Sequence, residues 1–600
     1  MIPQQGGPES RAHGQSPRGS LEDGERTPED DGKGVRGTED YGKGAHSAED
    51  EHSSDSSHAK ADAWAEGDGS RGLGSHARRL RRAASRYKRW VVGIAWVLIT
   101  AYFVAGLAVG RKTQTSDVLP FIFLYVFITG RIAFYFVPTQ PLTTRIGRAC
   151  GWADRTLVQL IPGYQRYLAG GLVLVALFLS VSLGLGVGPY GGRLARMQSF
   201  LGIVVITGVL VGTSRNPKHI NWRTVLVGYL MQFCLGCIVL KTRWGSDLFS
   251  WLAEMASGFL AFSRFGAGLL FGQGALNSGA IAVTLFPAII FFASFVQILY
   301  YLGGVQWLLK RMGWFFYRLL GTSGAEAIVA SASPFIGQSE NTLLVKDYLE
   351  HMTKSELHAC MTAGFATISG SVFQAYVALG VDAKNLITAC IMSIPCSLAL
   401  SKIRYPETDQ PITRGRVVLS KREKEANVLH AMGNGAATGM NLSLLILATI
   451  IGMVSLINAI NFVLTWLGQF VGIANLTMEL VLGYLFYPLT WLLGVPAKDV
   501  FAVSQLLGLK LIGNEFIAYS RLVGADGSPA VRDTLSERGL LIAQFALAGF
   551  ANTGSVAQVI AGIGSLAPSR KGDVARLAVS ACLTGAVATM MTSAIVAMVA

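Results

Sequence analysis

Two short stretches of this 600-residue chain carry groups that could do chemistry: Gly337-Gln338-Ser339-Glu340-Asn341 and Gly513-Asn514-Glu515-Phe516. Each sets a carboxylate and amides in strongly apolar surroundings, the first just after Ala327-Ile328-Val329-Ala330. An ionised Glu at membrane depth costs about 2.5–3.5 kcal/mol on insertion scales, a cost normally met by a water-filled cavity, a ligand or an ion. The two stretches therefore read as halves of one binding site. Two breaks inside otherwise helical runs echo each other, Thr367-Ile368-Ser369-Gly370-Ser371 and Ala551-Asn552-Thr553-Gly554-Ser555. A broken helix leaves N–H groups free at one limb's start and carbonyls free at the other's end.

Glu515 and Asn552 together could accept from and donate to a vicinal diol, while Gln338 and Glu340 offer the mixed donor and acceptor set that a heterocyclic base edge wants. Phe550 or Tyr376 could pack on a ring face. The plainer alternative is that Gln338, Glu340, Asn514 and Glu515 bond only to one another and hold hairpins shut, with Ser369, Ser371 and Ser555 as helix-packing residues. No nucleophile–base pair accompanies these groups, so an enzyme is not expected. His351 and His358 read as solvated loop residues, and the Cys234/Cys237 pair as helix packing.

The elements that must position this site are membrane helices. Hydrophobic residues make up 51% of the chain and charged ones 15%, and many apolar runs reach the length that spans a bilayer. The expected fold class is an all-α polytopic membrane protein. Its net charge of +14 lies mainly at segment ends, as cytoplasmic loops require, which argues against nucleic-acid binding.

Residues 1–75 are polar enough to predict a disordered cytosolic tail without a cleavable signal peptide. Residues 76–198 hold a basic block, Arg78 to Arg89, and three N-terminal spans near 90–110, 118–137 and 169–189. Residues 199–281 hold two scaffold spans and, at 258–272, an apolar piece expected to lie at the interface. A first repeat at 282–403 has a span ending at Lys310-Arg311, a re-entrant hairpin at 324–347, a broken span and a further span. A cytosolic loop follows at 404–438, with Lys402 and Arg404 at its start. The second repeat, 439–600, runs through the same order, with Gly483, Pro488 and Pro496 expected to break its hairpin region. Paired interrupted segments in corresponding positions point to a transporter site between inverted repeats. The expectation is eleven spans, N-terminus inside and C-terminus outside.

At these motifs the chain resembles the concentrative nucleoside transporter family. The residues that carry the likeness are Gly337 to Glu340, Lys354-Ser355-Glu356-Leu357-His358, Met361 to Phe365, Gly513 to Tyr519, Gly549 to Ser555 and Ala567-Pro568-Ser569-Arg570-Lys571, within about 200–600. The resemblance implies a plasma-membrane homotrimer whose protomers carry purine and pyrimidine nucleosides by an elevator movement. It implies base contacts from Gln338, Ser339 and Glu340, and ribose contacts from Glu515, Asn552 and Ser555, with Phe550 and Tyr376 beside them. It also places a cation site at Ser333, Ile336, Ser371 and Val372, where sodium-coupled members have Asn in place of Ser333. Losing that amide oxygen should weaken Na⁺ binding, and Glu340 could take a proton instead, because desolvation disfavours its charged form.

The wording Ser333-Pro334-Phe335-Ile336-Gly337-Gln338-Ser339-Glu340-Asn341 and the long polar tail are most similar to fungal, proton-coupled members. The expectation is a nucleoside:proton symporter without a cofactor, with a sodium-coupled carrier as the alternative. A channel would need a polar stripe through several spans, whereas here the polar groups gather at two loci.

Overall fold

The computed structural model describes residue 90, residues 92–108, scattered residues between 122 and 132, and residues 163–600 except 187, 189, 278–280, 339, 415–418, 421–424, 474 and 526. The predicted tail, the basic block, and Arg145, Arg148, Arg155 and Ser339 lie outside the described residues. The chain divides into two units, residues 1–135 and 136–600. In the first, helix α1 (Val92–Ala108) stacks Phe103 on Tyr125 with ring centroids 4.0 Å apart.

The named elements of the second unit's described residues are all helices, and one isolated bridge joins Gly188 and Gly191. It begins with α2 (Gly163–Gly184), α3 (Arg193–Gly212) and α4 (Trp222–Lys241). Helices α5 (Arg243–Ala261) and α6 (Ser263–Asn277) follow, bent by 42° at Phe262. The piece expected at 258–272 thus belongs to a longer bent pair that starts at Arg243, broken at Phe262 and again at Gly272, whose φ of +79° interrupts α6.

Two series of elements then run in the same order. The first comprises α7 (Ile281–Leu302), α8 (Gly304–Leu320), a hairpin of α9 (Gly324–Ala332) and the 3-10 helix Glu340–His351, a helix split into α10 (Lys354–Phe365) and α11 (Gly370–Ala378), and α12 (Ala383–Arg404). The second comprises α13 (Val428–Phe470), α14 (Met478–Leu492), a hairpin of α15 (Val500–Ile512) and α16 (Glu515–Val523), a helix split into α17 (Glu537–Leu547) and α18 (Thr553–Leu566), and α19 (Lys571–Val599). Among the described residues seven helices are long and apolar enough to cross a membrane, or eight if the bent pair α5–α6 forms one span. The two split helices stand where two of the other spans are expected, and those at 90–110 and 118–137 are described only in part.

Two further expectations change here. The run at 282–309 stops at Gly303, whose φ of +84° suits glycine, and Lys310-Arg311 fall inside α8. That helix buries Leu309, Gly313, Phe316 and Leu320 at helical spacing and leaves Lys310, Arg311 and Arg318 exposed. Gly483 and Pro488 do not break the chain but sit inside α14, as proline can in a membrane helix. The turn comes at Gly494, with φ +92°, where a Cβ would lie 1.9 Å from Ser199 Oγ. Arg538 fixes this corner, donating to the carbonyls of Gly494, Tyr190, Ala195 and Ala597 and to Ser199 Oγ at 2.8–2.9 Å.

Helix α13, 43 residues and roughly 65 Å long at 1.5 Å per residue, sets Ala431, Gly435, Gly439 and Ser443 on one buried stripe. A Cβ on Gly435 or Gly439 would come within 2.7 Å of α7 atoms, so these small residues let the two long helices touch. Most of the outer face of α13 is exposed and apolar, including Leu444, Ile451, Phe462 and Trp466, as lipid contact requires. At the centre, α12 and α19 are almost wholly buried.

The foot of the first hairpin carries buried charge. Ser323/Glu326 opens α9 and Thr353/Glu356 opens α10 as capping boxes, with both glutamates fully buried. Lys402 from the end of α12 pairs with Glu326 and with Glu407 at 3.1 Å, and donates to Ser355 Oγ at 2.8 Å. It is therefore a buried clamp and not the loop charge expected. His358 is also buried, inside α10, with Ser401 Oγ at 2.8 Å and Ser580 Oγ at 3.2 Å, because α12 and α19 close over it. Breaking a buried pair by removing one partner costs roughly 3–5 kcal/mol. Lys402→Met should lower the thermal midpoint of the purified protein, and Glu326→Gln should lower it less, since Gln keeps the capping box. Unchanged unfolding of Lys402→Met would contradict the clamp.

Candidate functional site

Glu515 opens α16 directly after its N-cap, Asn514, whose Oδ1 accepts from the Ile517 N–H at 2.8 Å. That bond gives Asn514 a capping role. The Glu515 carboxylate is buried and both its oxygens are engaged, one by each repeat. Tyr376 on α11 donates its hydroxyl to Oε1 at 2.8 Å, and Asn552 donates Nδ2 to Oε2 at 2.9 Å. Bonds to an ionised acceptor are about twice as strong as neutral ones, so this triad ties the two split helices together through the second hairpin.

Asn552 has a second duty. It is the N-cap of α18, its Oδ1 accepting from the Ser555 N–H at 2.8 Å. Thr553 Oγ1 donates to the Ile512 carbonyl at 2.6 Å, binding the start of α18 to the end of α15. The break after Leu547 therefore aims Asn552 at Glu515.

From the first hairpin comes Gln338. Its Nε2 donates to Gln558 Oε1 at 3.0 Å, and its buried Oε1 has no protein partner. An unmatched buried acceptor is costly, and a ligand N–H would satisfy it. Gln338, Tyr376, Glu515, Phe550, Asn552 and Ser555 line one cavity. Leu442, Ile446 and Thr449 of α13 form part of its apolar wall. Tyr376 packs near Phe516 and Tyr519, with ring centroids 6.3 and 5.1 Å away.

Not all the expected residues meet there. Glu340 begins the 3-10 helix, where the chain turns past Gly337, and it lines a separate cavity with Ile336. Val372 lines the Glu515 cavity, Ser333 lines neither, and the side chain of Ser371 lies outside what the structure describes. Ser333 is buried at the end of α9, donating Oγ to the Val329 carbonyl and accepting from Asn341 Nδ2, both at 2.8 Å. Asn341 is fully buried, and its Oδ1 has no partner.

Sequence reasoning missed Gln558, although Asn552, Ser555 and Gln558 stand three residues apart, on one face of α18. It also missed Lys510. That buried lysine donates to the Ala546 carbonyl at 2.7 Å and to Thr589 Oγ1 at 2.9 Å, capping the end of α17 just before the break.

The chain is similar to known proteins in sequence and fold. Residues 201–274 and 385–597 match the family descriptions "Na+ dependent nucleoside transporter" N-terminus and C-terminus, and residues 282–382 match "Nucleoside recognition". Rat sodium/nucleoside cotransporter 2 is 32% identical over 522 residues, covering 84% of this chain and 76% of the relative. The chain belongs to the concentrative nucleoside transporter family. Rat solute carrier family 28 member 3 is 38% identical over 439 residues, 71% of this chain, which spans about 62% of that relative's length. The solved structure of CNTnw in an inward-facing substrate-bound state superposes with a TM-score of 0.63 at 36% identity, covering 68% of this chain and 98% of CNTnw. These relatives are named as transporters and not as enzymes.

The double role of Asn552 yields a separable test. Asp caps a helix as well as Asn does, but it would face Glu515 with a like charge. Asn552→Asp should keep the α18 cap but lower the thermal midpoint, since it replaces a donor to buried Glu515 with a like charge, and the folded protein should no longer bind nucleoside. Wild-type affinity in that variant would contradict the ligand role.

Proposed function

We propose that this protein is a cation-coupled nucleoside symporter, working in the plasma membrane as a homotrimer whose protomers move their hairpins by an elevator step. The observation that carries this reading is the Glu515 carboxylate, held by Tyr376 and Asn552 from opposite repeats in the cavity that Gln338 and Phe550 also line. Glu515, Asn552 and Ser555 suit the ribose hydroxyls, Gln338 suits the base edge, and Phe550 suits its face. Purines and pyrimidines both present such an edge. A coupling cation favours uptake only if it binds the loaded, closed state better than the empty one.

Sodium is the coupling ion that the relatives' names support, in preference to the proton reading drawn from Ser333. Asn341 adds to that support. Its unpartnered amide oxygen belongs to a residue whose other amide atom bonds Ser333, so an amide oxygen stands close to where sodium-coupled members keep one. One observation favours the proton: Ser333 Oγ already makes two hydrogen bonds.

Uridine uptake into cells expressing the chain, measured in Na⁺ and in choline across a pH series, tests both. Replacing Na⁺ with choline should cut uptake at pH 7.4 by roughly tenfold or more, and Asn341→Ala should raise the Na⁺ concentration for half-maximal uptake. Full uptake in choline that rises with acidity would overturn sodium in favour of the proton. Absence of nucleoside uptake in any medium, with the protein at the cell surface, would overturn the function.

A further inference from the structure

A second, larger cavity, open to the exterior, adjoins the Glu515 site. Gly337 and Leu442 line both, so only the tip of the first hairpin and one turn of α13 stand between them. Its walls come from α7, from the stretch Phe335 to Lys346, and from the first turns of α13 together with Glu425. We propose that this cavity is a second nucleoside subsite, a stop between the Glu515 site and the membrane face at which α13 begins. The proposal rests on the transport reading above.

The chemistry of the walls resembles that of the first site without repeating its residues. Glu425 is steadied by amides, its Oε1 accepting from Gln297 Nε2 at 2.8 Å and from Asn434 Nδ2 at 3.4 Å. Both bonds fall on one oxygen, which leaves the other for a sugar hydroxyl. Thr438 and Asn441 offer further donors and acceptors, and Phe292, Tyr300 and Phe335 offer ring faces. Glu340 lines the same space, with its carboxylate folded back toward Gly337. Two carboxylates against Lys346 disfavour a phosphorylated ligand, and an ion alone has no use for aromatic walls. A neutral ring bearing hydroxyls uses both.

This placement also accounts for the second expensive carboxylate of the hairpin. A nucleoside leaving Gln338 passes Gly337, which has no side chain to obstruct it, and meets Glu340 next. Gln338 and Glu340 then serve successive positions of the ligand, one on each side of the tip.

The test uses purified full-length protein with uridine as the probe, measuring equilibrium binding in detergent and uptake into proteoliposomes. Glu425→Gln and Asn434→Leu should hold the Kd within about twofold of wild type and slow maximal uptake roughly fivefold or more. Thr438→Trp, which fills the cavity from α13, should do the same. Uptake at the wild-type rate in folded variants would overturn the subsite and leave the transport reading standing. A Kd weakened as much as the rate would assign Glu425 to the first site and also overturn the subsite. Wild-type protein that neither binds nor carries uridine would overturn the transport reading itself.

Discussion

The account depends on one buried carboxylate. Glu515 lies where an unpaired charge is prohibitive, and its two oxygens are taken by Tyr376 from one split helix and Asn552 from the other. Those bonds meet the desolvation cost that lipid imposes. They also fix where the second hairpin stands relative to both breaks, so one arrangement supplies stability and a ligand-binding surface. The supporting bonds serve the same end: Asn514 caps α16, Asn552 caps α18, Thr553 ties α18 to α15, and Lys510 closes the end of α17.

Around this centre, the rigid parts are distinguished by chemistry. The foot of the first hairpin is held by capping boxes and the Lys402 pairs, and the corner at Gly494 by the five donations of Arg538. At the tip of the first hairpin Gln338 donates a hydrogen bond to Gln558 of the second repeat, and the chain beyond Gly337 faces a larger open space.

Much of this was legible in the sequence because lipid makes polar residues conspicuous. Gln338, Glu515, Asn552 and Ser555 stood out as costly groups in apolar runs, and all line one cavity. The doubled element order was legible from paired interruptions. What was hidden depends on partners far along the chain. Lys402 read as a loop charge because Glu326, its partner, stands in another helix, and His358 read as solvated because Ser401 and Ser580 arrive from elsewhere. Glu340 was grouped with Gln338 by proximity in sequence, yet the turn at Gly337 puts them on opposite sides of the tip. Residue type alone does not show which way a turn faces.

The most direct measurement of the central claim is radiolabelled uridine uptake by Glu515→Gln beside wild type, with surface expression matched. Gln has nearly the shape of Glu but loses the charge that both Tyr376 and Asn552 address. The account predicts that uptake efficiency falls by roughly 100-fold or more with the protein still at the surface. Uptake at the wild-type level would contradict it.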